Sequence, residues 1–100
     1  MPLAKHYLDD KHFCEVTFTL PQDYDAQQTV TLVGEFNAWD RDATTLTRQA
    51  DGTWSVTLKL PVNNEFQYRY LVDQVHWHND TEADNYVAHP YGGENSVVLT

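Results

Sequence analysis

Apolar and polar residues alternate with a period of two along much of this chain, in short runs each cut off by proline, glycine or asparagine. That period belongs to strands and rules out an amphipathic helix over the same residues. From 14 to 20, Cys14, Val16, Phe18 and Leu20 fall on one side and Glu15, Thr17 and Thr19 on the other, until Pro21 stops the run. Residues 29–36 repeat the pattern with Val30 and Leu32 inward, and Gly34 marks a bend or bulge where the strand leaves its sheet. Asp51 and Gly52 form a hairpin turn ahead of Trp54, Val56, Leu58 and Leu60, which share a face as far as Pro61. After Asn63 and Asn64 the chain turns again. Phe66, Tyr68, Tyr70 and Val72 then line one face, with Gln67, Arg69, Leu71 and Asp73 on the other. A short strand near Val75 to His78, a long polar loop and a closing strand from Ser96 complete the chain. About seven short strands with turn signals roughly every ten residues indicate an all-β antiparallel sandwich.

One hundred residues, 41% of them apolar and 13% aromatic, suffice for one compact core. They are too few for a catalytic barrel of about 250 residues. The formal charge of −9 repels phosphate backbones and anionic lipid heads, so neither nucleic acid nor membrane is an expected partner. A neutral polysaccharide feels no such field. Cys14 has no intrachain disulfide partner, and the N-terminus lacks the apolar run of about 7–15 residues of a secretory signal, so the expected location is cytoplasmic.

Two tryptophans stand outside the alternating faces. Trp39 lies in the loop between Asn37 and Asp40, and Trp77 lies between His76 and His78. A flat aromatic ring can stack on the C–H face of a pyranose while neighbouring polar groups satisfy the hydroxyls at its edge. The plainer alternative is that both rings cap the core. Trp54 shares a face with Val56, Leu58 and Leu60 and is expected in the core. Arg69 points away from the core, offering five donors, and Asn95 offers both donor and acceptor. For Arg69 the competing role is an ion pair with Asp73 or Glu65. For Asn95 it is a turn residue satisfying its own backbone.

Four phrases in fixed order, VGEFNAWD (33–40), DGTW (51–54), FQYRYLVD (66–73) followed by Trp77, and GGENSVV (92–98), cover most of the chain. Their wording resembles the family 48 carbohydrate-binding modules, the isoamylase N-terminal or early-set domains. These include the glycogen-binding domain of the AMP-activated protein kinase β subunit. The resemblance implies an immunoglobulin-like sandwich over residues 13–100 behind an N-terminal extension of residues 1–12. It also implies non-catalytic binding of α-1,4-glucan such as glycogen, starch or maltooligosaccharides. Trp39 and Trp77 correspond to the stacking platform, and Arg69 and Asn95 to the groups that hydrogen-bond glucose hydroxyls. Tyr91 takes the place of an apolar loop residue beside the glucan. The chain departs from the family after Asp73, where Gln74 and Val75 replace the usual glycine and one extra residue precedes Trp77. The alternative implied by the same resemblance is a regulatory or docking module for an enzyme of glycogen metabolism, with sugar binding weak or lost.

Other constellations carry less. His76 and His78 share a strand face, but no third zinc ligand follows at a fixed spacing. Asp80, Glu82 and Asp84 lack the glycine and the final glutamate of a calcium loop. Cys14 on an inward face is expected to be an inert core thiol. Paired carboxylates can hydrolyse glycosides, but a small sandwich rarely supplies the water-excluding cleft they need. Neither a catalytic residue nor a cofactor is therefore expected.

Overall fold

A computed structural model describes residues 3–22, 24, 26–88 and 93–100. Two antiparallel sheets pack face to face. One has the order β1 (Ala4–Tyr7), β2 (Phe13–Thr19), β5 (Trp54–Pro61), β4 (Thr47–Arg48). The other has the order β3 (Val30–Gly34), β6 (Glu65–Val72), β9 (Glu94–Leu99), β8 (Asn85–Ala88), and β7 (His76–His78) also pairs with β6. This is the sandwich that the alternation requires, since each sheet must bury one face.

The core is where the inward residues of both sheets meet. Cys14, Val16 and Phe18 of β2, Val30 and Leu32 of β3, and Tyr68, Tyr70 and Val72 of β6 are buried in one cluster, with Trp54 packed against its margin. Rings interlock edge to face. Phe18 and Tyr68 have centroids 5.0 Å apart at 77°, and Tyr68 and Tyr70 are 5.9 Å apart at 87°. Such pairs let two phenols occupy a core whose other members are hydrocarbon and one thiol.

Those phenols need partners: the Tyr70 hydroxyl donates to the Thr19 carbonyl at 3.2 Å, and buried Asp80 lies within reach of both. Its Oδ2 accepts from the Tyr68 hydroxyl at 2.8 Å and lies 3.4 Å from that of Tyr70, while its backbone carbonyl accepts from the Tyr86 hydroxyl at 2.7 Å. Burial above all drives both phenols well above the ordinary tyrosine range, aided at Tyr68 by Tyr70 and then Asp80 and at Tyr70 by the charge of Asp80. In the sequence Asp80 reads as part of an acidic loop. In the fold it is the polar centre of the core.

Several expectations change in detail. Ala4–Tyr7, within the segment read as an extension, adds an edge strand to β2 with Lys5 opposite Val16. Gly34 forms no bulge. It is extended, with φ −169°, and a Cβ there would stand 2.6 Å from the Gln67 carbonyl oxygen and 2.8 Å from the Tyr68 Cβ. Its role is close approach of β3 to β6, not backbone freedom. Pro61 is the last residue of β5 rather than the residue beyond it. Thr31, Val33, Leu71 and Val97 are buried although they point away from the main cluster, so the second sheet is covered in part on its outer face as well.

Candidate functional site

The phrase from Val33 to Asp40 builds one wall. Phe36 drops into the core beside Phe18, with centroids 5.6 Å apart, and anchors the short 3₁₀ turn Glu35–Asn37. Glu35 accepts the Gln67 amide through Oε1 at 2.7 Å. Asn37 is the clamp. Its Oδ1 accepts from the Gly34 amide at 3.1 Å, and its Nδ2 donates to the Leu32 carbonyl at 2.8 Å and to Thr44 Oγ1 at 3.1 Å. The chain then passes through Ala38 and Trp39, both at φ 58°, and the Trp39 amide donates back to the Gly34 carbonyl at 2.9 Å. Two consecutive left-handed residues other than glycine or asparagine are uncommon and persist only where surrounding bonds dictate them. The result is that Trp39 turns outward and stays 39% exposed.

Strand β6 builds the floor. Because Tyr68 and Tyr70 face the core, Arg69 faces out, opposite Val33 of β3. On its other side the β6–β9 register ends at the pair Tyr68 and Ser96, and one further step brings Arg69 beside Asn95. The Arg69 side chain lies along β9, donating from Nε and Nη2 to the Glu94 carbonyl at 3.2 and 2.9 Å. The alternative partner, Asp73, is engaged elsewhere. Its carboxylate accepts the backbone amides of Gln27, Gln28 and Thr29, and these bonds hold its carboxyl below the usual range.

Asn95 is a strand residue, 5% exposed, and not part of a turn. Its Nδ2 donates to Gln67 Oε1 at 3.0 Å, and its Oδ1 is a buried side-chain oxygen without a hydrogen-bond partner. Beneath it runs a relay that no local sequence pattern announces. Asn79 donates to the Glu94 carbonyl at 2.6 Å and accepts from Ser96 Oγ, which in turn accepts the Asp80 amide at 2.8 Å. Hydrogen bonds thus connect the buried Asp80 to the acceptor that holds Arg69. Gly93 completes the floor at φ 73°, where a Cβ would come within 3.2 Å of Arg69 Nη2.

Strand β7 places the second tryptophan. Asp73 and Gln74 both have positive φ, 52° and 66°, as a mirror-image hairpin turn requires, and Val75 N–H closes it onto the Val72 carbonyl. The residues that replace the family's glycine therefore make a tight turn of their own. Trp77 then pairs with Leu71 on the outer face of the sheet and remains 39% exposed. His78 stacks on Tyr24 at 3.9 Å between centroids, and burial followed by the neighbouring His76 lowers its pKa.

Trp39, Arg69, Trp77 and Asn95 line one open depression of about 190 Å³. Enclosing ligand pockets measure about 300–1,000 Å³, so a ligand would lie on this surface and not inside it. Tyr91 lies outside the described residues. A larger hollow of about 400 Å³ is bordered by Leu20, Tyr24, Arg48 and Trp54, but its tryptophan is turned toward the core. Among the described residues no three His, Cys, Asp or Glu side chains are grouped to hold a metal ion, and no helix is long and apolar enough to cross a membrane. Cys14 is free and fully buried.

Comparison with known proteins gives three findings. The family described as carbohydrate-binding module 48 (isoamylase N-terminal domain) matches residues 25–92. An α-amylase of Niallia circulans is 33% identical over an alignment 95 residues long that covers 85% of this chain, whereas the chain spans only 7% of that protein's length. The crystal structure of the enterobactin esterase FES from Shigella flexneri superposes with a TM-score of 0.75 over 99% of this chain and 32% of the esterase. At 15% identity that last likeness concerns the fold alone.

Proposed function

The chain belongs to the carbohydrate-binding module 48 (isoamylase N-terminal domain) family, and on that premise we propose that it binds α-1,4-glucan without catalysis, through Trp39, Trp77, Arg69 and Asn95. The observation that carries this reading is convergence. Four residues from four separate segments, none of them part of the main core cluster, share one shallow depression. Exposed indole faces suit the apolar side of a glucose ring. The donors of Arg69 that Glu94 does not use, and the partnerless Oδ1 of Asn95, suit the hydroxyls at its rim. These residues form a binding module, and a 100-residue sandwich cannot enclose a barrel active site.

An open face buries little of a sugar, so a single site supports a dissociation constant between about millimolar and micromolar. Isothermal titration with maltoheptaose tests the proposal. Heat of binding is expected for the wild type, together with a loss of at least about tenfold for Trp39→Ala and for Trp77→Ala. A flat wild-type titration would reject sugar binding and leave the docking role, whose readout is retention of a glucan enzyme from extract regardless of Trp39.

A further inference from the structure

Arg41 belongs to the loop that carries Trp39, yet its guanidinium carbon sits over the ring of Trp77, 5.4 Å from the centroid. It is thus a direct tie between the two tryptophan-bearing segments, whose strands β3 and β7 each pair with β6. Arg41 does not line the depression formed by Trp39, Arg69, Trp77 and Asn95. A planar guanidinium over an indole is attracted by the ring quadrupole and restricts how the ring can tilt.

We propose that Arg41 is a positioning residue that backs the Trp77 ring and so fixes the spacing and tilt of the two-tryptophan platform. The inference rests on the sugar-binding reading of the depression. Both ends of the tie support it. On one side the loop is rigid, because Asn37 clamps it to Leu32 and Thr44 and Trp39 is bonded back to Gly34, so the guanidinium is delivered from a fixed base. On the other side Trp77 needs the support. It sits on a three-residue strand that, among the described residues, pairs with β6 alone. Of the two acidic residues that flank Arg41, Asp40 accepts the Asp42 amide through Oδ1 at 2.8 Å.

The chain has three tryptophans, so 5-fluorotryptophan labelling gives three ¹⁹F resonances, assigned by single Trp→Phe changes. In Arg41→Gln the Trp77 resonance is expected to move while that of core-packed Trp54 stays. Affinity for maltoheptaose should fall about two- to fivefold, the worth of an exposed cation–π contact. Arg41→Lys, which keeps a cation over the ring, should recover most of that loss. An unmoved Trp77 resonance would overturn the proposal. So would tighter binding by Arg41→Gln, which would mean that the guanidinium covers the surface the sugar needs. If Trp77→Ala leaves maltoheptaose binding intact, the assignment of the sugar to this depression fails by itself, while the fluorine shift still decides the tie.

Discussion

Arg69 spends two nitrogens, Nε and Nη2, on a single acceptor, the backbone carbonyl of Glu94, at 3.2 and 2.9 Å. The guanidinium plane is therefore held against β9 before any ligand arrives, and its remaining N–H groups have a defined direction. Lysine has the charge but no fork. Arg69→Lys is expected to weaken maltoheptaose binding by about 1 kcal/mol, roughly fivefold, with the fold intact. Titration calorimetry paired with thermal unfolding separates the two effects, and unchanged affinity would show that the fork does not matter.

Gly93 and Gly52 make a matched pair of substitutions. Both have positive φ, 73° and 90°, so alanine at either position costs about 1–2 kcal/mol of stability. Only at Gly93 does the new Cβ meet Arg69, whereas at Gly52 it meets nothing within 4 Å. Gly93→Ala should therefore lose affinity as well, by several-fold, while Gly52→Ala should bind as the wild type does once corrected for the folded fraction.

Gly34 tests a different cause. Its backbone is extended and tolerable for any residue, but an added methyl would press on the Gln67 carbonyl and the Tyr68 Cβ, neither of which is a flexible side-chain end. Gly34→Ala is expected to cost about 2–3 kcal/mol, lowering Tm by roughly 10 °C or more in circular dichroism. A shift within a degree or two would mean that β3 and β6 separate easily.

The pH dependence has two limbs with opposite signs. Asp73 has a folded pKa below its ordinary 3.8, because the backbone amides of Gln28, Gln27 and Thr29 bind its ionised form. Its contribution to stability is complete above pH 3.8 and disappears as pH falls through the lowered value. Tyr68 and Tyr70 behave inversely. Their folded values lie above the ordinary 10, so from about pH 10 upward the unfolded chain ionises them first and stability declines. Urea unfolding across pH should show both declines, and Asp73→Asn should remove part of the acid limb and leave the alkaline limb unchanged.

Besides β3 and the short runs that became β7 and β9, the strands legible from sequence were those with one face toward the core. β2, β5 and β6 announce themselves by alternation because each covers the core on one side only. β8 does not, since all four of its residues are exposed and its strand state comes from pairing with β9 alone. The edge strand β1 is mostly exposed and escaped for the same reason. Local pattern reports burial; it does not report a partner supplied from elsewhere in the chain.

The depression was legible in its members and not in its supports. Trp39, Trp77, Arg69 and Asn95 stood out as types that suit a sugar, and the fold brings them to one place. The role of Asn37 as a loop clamp, the Asn79 relay to Glu94 and the clearance at Gly93 all depend on cross-strand register. Register is a long-range property, and no window of neighbouring residues contains it.

The alternation of β6 has one more consequence. Tyr68 and Tyr70 face the core while Arg69 between them faces the depression, so each position is defined by the parity of its neighbours. A one-residue slip in the pairing of this strand would send the arginine inward and the tyrosines outward together. Changes of length therefore belong in the flanking turns, where they are absorbed, while within the strand the packing of the core and the outward place of the arginine are held by one and the same spacing.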